Sequence, residues 1–87
     1  MSPTTPLTTE ECQILEALVD PDADVPDRTV GRLVTRVDLS PKLLATRLRE
    51  LETRTPPLAE LVGHDDLGLQ AWWPTDAGRQ AYEDGCR

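Results

Sequence analysis

Apolar positions recur along the chain at two different spacings, and the change of spacing divides it. From Leu7 to Val19 the residues Cys12, Ile14, Leu15, Leu18 and Val19 mark one face of a helix. Thr8 with Glu11 three positions on is a capping-box pattern, and Leu7 is placed to staple onto Cys12, so two signals fix where that helix begins. Asp20 to Pro26, with two prolines and three aspartates, reads as a loop. A second helix is predicted from about Arg28 to Val37, capped by Asp27 or Thr29, with Val30, Leu33, Val34 and Val37 as its buried stripe. Arg28, Arg32 and Arg36 form a row on the other side, facing solvent or a ligand.

After the short connection Asp38-Leu39, Ser40 is a cap and Pro41 stands at the first position of a third helix. Leu44, Leu48 and Leu51 define its buried side. Lys42, Thr46, Arg49 and Thr53 form a continuous polar row opposite, with Glu50 beside it and Leu43 and Arg47 at the margin. Pro56 and Pro57 end this helix near Arg54. The period then shortens to two. Leu58 to Val62 and Leu69 to Trp73 read as the arms of a hairpin around a turn bounded by Gly63 and Gly68. Adjacent strand residues point to opposite faces, so one of Trp72 and Trp73 belongs to the core and the other is half exposed. Thr75 caps a last short helix through Tyr82, with Gly85 as its stop.

Composition narrows the class. The 87 residues suffice for one domain, taken as residues 7–87 after a loose Ser/Pro/Thr tail over residues 1–6. With no Phe, the core is built from Leu, Val, Ala and the Trp pair. No apolar run approaches a membrane span or a signal sequence, and a soluble, cytoplasmic protein is expected. Cys12 and Cys86 are far apart in sequence with no metal-type spacing. Reduced thiols are the default expectation in that compartment, with a bridge between the chain ends as the alternative.

The net charge of −7 argues against a surface drawn everywhere to nucleic acid, yet it is unevenly distributed. Residues 1–27 hold seven acids and no base; residues 28–54 hold seven bases against Asp38, Glu50 and Glu52; residues 55–87 hold six acids against Arg79 and Arg87. The only positive third is the segment of the second and third helices.

That segment, from Val30 to Glu52, resembles the helix-turn-helix of bacterial regulators, with a Ser-started helix running into Arg47-Leu48-Arg49-Glu50-Leu51-Glu52. Trp72-Trp73-Pro74-Thr75-Asp76-Ala77-Gly78-Arg79 is similar to the Leu-Thr-x-x-Gly-Arg signature that follows the wing in regulators like the multiple-antibiotic-resistance regulator, MarR. The resemblance implies an α+β, mostly α, fold: a three-helix helix-turn-helix core with a β-hairpin wing and a short C-terminal helix. The helix-turn-helix would span about 28–54 and the wing about 58–73. Asp38 stands where the turn of such proteins has Gly, and Asp tolerates left-handed backbone. The wing tip carries Asp65 and Asp66 in place of bases, so the likeness does not extend to minor-groove contact there.

What the resemblance implies for function is double-stranded DNA binding and transcription regulation, with the third helix in the major groove. Lys42, Thr46 and Arg49 would then lie at or near base edges, with Leu43 against a thymine methyl or a protein. Ser40, Arg28, Arg32, Arg36, Arg47 and Arg54 would meet phosphates. A homodimer on a two-fold site is expected, although the long dimerising helices of MarR proteins are missing. The alternative is a protein-interaction module, or an accessory factor docking a partner through its acidic surface and not binding DNA alone. One His, no nucleophile placed beside it and no phosphate-binding loop leave no enzyme, metal or cofactor expected.

Overall fold

In the computed structural model, which describes residues 7–21, 28–64 and 66–86, the chain is a small α+β protein of four helices and a two-stranded antiparallel hairpin. The elements follow as α1 (Thr9–Val19), α2 (Val30–Leu33), α3 (Pro41–Glu52), β1 (Ala59–His64), β2 (Gln70–Pro74) and α4 (Asp76–Gly85). Most of the loop after α1, its cap candidate Asp27, the tail and Asp65 lie outside the described residues.

The predicted starts are chemical and they hold. Glu11 N–H donates to Thr8 Oγ1 at 3.1 Å while Thr8 N–H donates to Glu11 Oε1 at 3.0 Å, which closes the capping box on α1. Leu43 N–H donates to Ser40 Oγ at 3.2 Å over Pro41 at the start of α3. Gly78 N–H donates to Thr75 Oγ1 at 2.9 Å on α4. The same Thr75 hydroxyl donates to Pro57 O at 2.6 Å, tying the entry of the hairpin to its exit. Gly78 sits where any Cβ would run into the Leu58 carbonyl, so this contact requires glycine. Gly85 is not the stop. It is the last residue of α4, and Cys86 is the C-cap.

The second helix is shorter than its pattern predicts. α2 covers only Val30–Leu33, after which Thr35 and Arg36 bond back three residues and Val37 bonds back to Leu33 O at 3.0 Å. The stripe survives, with Val30, Leu33 and Val37 buried. The N-cap of α2 is Thr29, one of the two candidates, whose carbonyl accepts from the N–H groups of Arg32 and Leu33 at 3.0 and 2.8 Å while the same residue bridges to Ala71 of β2. No described non-glycine residue has positive φ, so Asp38 makes its connection without left-handed backbone.

The hairpin pairs Ala59 with Pro74, Leu61 with Trp72 and His64 with Gln70, and a bulge at Val62 shifts the register. β1 runs two residues further than expected, into His64. Trp72 is fully buried and Trp73 half-buried, as the alternation requires. The core joins Ile14, Leu15 and Leu18 of α1, Leu33, Leu44, Leu48 and Leu51 of α3, Leu58, Ala59 and Trp72. α1 and α4 pack side by side, which brings Cys12 and Cys86 to a Cα separation of 5.5 Å and joins them in a disulfide. The reduced state expected for these thiols is therefore corrected, because the fold places the chain ends together.

Candidate nucleic-acid interface

The polar row read from the sequence of α3 is intact on its outer face. Lys42, Thr46 and Arg49 are exposed, and with Ala45, Glu50 and Thr53 they line one open groove of ≈ 420 Å³. The pattern is simple: these positions recur at helical spacing opposite Leu44, Leu48 and Leu51, so burying the leucines turns the row outward. Thr46 Oγ1 donates to Lys42 O at 3.0 Å and Thr53 Oγ1 to Glu50 O at 3.0 Å, so each hydroxyl proton is already used within the helix and what remains is acceptor capacity. Among the described residues neither Lys42 nor Arg49 has an acidic partner within salt-bridge range. Arg32 is likewise exposed without one. Ser40 is exposed at the head of α3 with its hydroxyl already accepting a backbone bond, and Leu43 is half-buried.

The other arginines of residues 28–54 are occupied. Arg47 donates through Nε to Glu10 at 3.2 Å and through Nη1 to Glu50 at 2.7 Å; the Glu50 bond, then the Glu10 bond, hold its guanidinium further above its already high pKa. Arg54 wraps Glu11, with Nη2 at 2.9 Å from both carboxylate oxygens and Nε at 3.2 Å. Glu11 is only 3% exposed, so this pair is part of the interior as much as of the surface. Arg36 Nη2 lies 2.7 Å from Asp20 Oδ2.

Arg28 departs furthest from expectation. It is 5% exposed, with Nε donating to Leu18 O at 2.9 Å, Nη2 to Asp20 O at 3.2 Å, and its guanidinium 4.1 Å from the ring centroid of Trp73. A solvent-facing Arg28 reaching a phosphate is therefore corrected: the residue precedes α2 and its charge is spent on a helix end and an indole. The intended row of Arg28, Arg32 and Arg36 does not form as a unit.

The residues of this region that the sequence reading missed are Glu10 and Glu11. They stand in the first turn of α1, where they pair with Arg47 of α3 and with Arg54 just past its end. The capping box placed Glu11, but its second partner lies 43 residues away and no local pattern signals it. Among the described residues no three His, Cys, Asp or Glu side chains converge on a metal-sized site, and no helix is long and apolar enough to cross a membrane. No protein-family model, curated protein or solved structure matches the chain.

Proposed function

We propose that the chain is a winged-helix protein that binds duplex DNA by laying α3 along the major groove, in the manner of the transcription regulators it resembles. The observation that carries this reading is the outer row of α3, where Lys42, Thr46 and Arg49 are exposed on one groove and both cations lack an acidic partner among the described residues. An arginine fork matches guanine O6 and N7, and a threonine methyl meets thymine. Arg32 adds one phosphate contact from α2. With Arg28 buried and Arg36, Arg47 and Arg54 paired to the protein's own carboxylates, the footprint is small, and affinity is correspondingly modest at physiological salt.

Titration of binding to random duplex against salt tests it. Three cations predict log affinity falling by about 2.7 per decade of salt. Absence of binding at low salt overturns the reading. A second reading, a protein-docking module, is favoured by the hairpin, where Val62, Leu67 and Leu69 are 51, 84 and 37% exposed. It predicts that Leu67→Ser abolishes partner capture and leaves any DNA binding untouched.

A further inference from the structure

One carboxylate stands among the cations on the outer groove of α3, and the protein holds it in place. Glu50 lines that groove together with Lys42 and Arg49. A lone exposed ion pair along one helix is weak and leaves both side chains free to turn. Glu50 is held more firmly. Arg47 Nη1 donates to its Oε1 at 2.7 Å, and the same guanidinium donates through Nε to Glu10 of α1 at 3.2 Å, so the arginine is anchored on a second helix as well. The Glu50 side chain is 50% exposed, and its Oε2 has no hydrogen-bond partner among the described residues.

A negative group on a face laid against DNA weakens binding to every duplex, because phosphates repel it whatever the sequence. Only a donor on a base edge offsets that cost, and the major groove offers two, cytosine N4 and adenine N6. Adenine sets its N7 acceptor beside N6, which opposes a carboxylate, and guanine and thymine present acceptors outright. Cytosine presents the amino group alone. From this arrangement we infer that Glu50 is a specificity-determining residue that selects cytosine, accepting from N4 through its free oxygen, with Arg47 as the positioning residue that aims it. The inference rests on the DNA reading of α3 proposed above. Arg49, next in sequence, takes guanine O6 and N7 in the neighbouring base pair. At any other base than cytosine the carboxylate loses water without gaining a matching donor, so the discrimination comes from rejection as much as from attraction.

Selection by the full chain from a duplex pool randomised at its centre, followed by competition with duplexes altered at one base pair, tests the assignment. The selected site should hold a cytosine beside the guanine whose preference depends on Arg49, and replacing that cytosine should lower affinity about tenfold. Glu50→Gln keeps the size and removes the charge, so it should produce two opposite changes. Binding to random duplex rises severalfold as the repulsion disappears, and the preferred base shifts from cytosine to adenine, whose N6 and N7 match the amide. A residue that served only the fold would not improve one property while altering the other. Arg47→Met should lower the preference for cytosine severalfold with no change in salt slope. Sites without the cytosine, or an unchanged base preference in Glu50→Gln, overturn the inference and leave duplex binding standing. Loss of all binding in Glu50→Gln overturns it too, and an Arg47→Met protein as selective as the parent refutes the role given to Arg47. Absence of binding to any duplex by the unaltered chain at low salt refutes the DNA reading itself, and this inference with it.

Discussion

The two flanks of α3 are built from the same residue types and put them to opposite uses. On the outer flank Lys42 and Arg49 stand without acidic partners among the described residues; toward α1, Arg47 is clamped by Glu10 and Glu50, and Arg54, two residues past the end of the helix, by Glu11. The +4 charge of the basic third therefore overstates what a ligand meets. Position relative to α1, and not residue type, decides which arginine is a tool and which is a fastener.

The sharpest way to break this contrast is to swap the fates of Arg54 and Arg49. Arg54→Ala should destabilise the fold by about 3 kcal/mol, since it leaves the buried Glu11 carboxylate without its cation and with only the Thr8 N–H of the capping box. Arg49→Ala should change stability by under about 0.5 kcal/mol. Urea denaturation of both variants reads the difference directly. On DNA the order reverses. Arg49→Ala should cost about 2 kcal/mol on a selected site and relax the preference for guanine there, as competition between selected and random duplexes would show, whereas Arg32→Ala should weaken all sequences alike. Lys42→Ala is gentler, lowering the salt slope by about 0.9 with the fold unaffected. The smallest expected effect on DNA is Arg47→Ala: no change in salt slope, and little change in stability for an ion pair this exposed. A large fall in DNA affinity from Arg47→Ala would erase the distinction between the flanks.

What the sequence announces here is local. Thr8 with Glu11, Ser40 with Pro41, and Thr75 each place a cap within a few residues of its partner, and the leucine spacing of α3 leaves one solution for its polar row. The α+β content and the hairpin follow from the change of period. What stays hidden is set by distant partners. Residues 28–37 carry a full helical stripe, but Arg28 is claimed by Leu18, Asp20 and Trp73, Thr29 caps the helix while also bridging to Ala71, and the helix ends at Leu33. The bridge between Cys12 and Cys86 depends on α1 and α4 lying side by side, and the neutralisation of Arg47 and Arg54 on where the first turn of α1 falls. Neither leaves a periodic trace.

Arg28 has one further consequence, and it is mechanical. A single guanidinium grips the carbonyl end of α1 on one side and the indole of Trp73 in β2 on the other. It acts as a strut, so the angle at which the hairpin projects is set from inside the protein by a side chain that no ligand can touch. Shortening the strut would tilt the hairpin and move Leu67 at its tip through the largest arc, altering what the molecule presents without changing one residue of its surface.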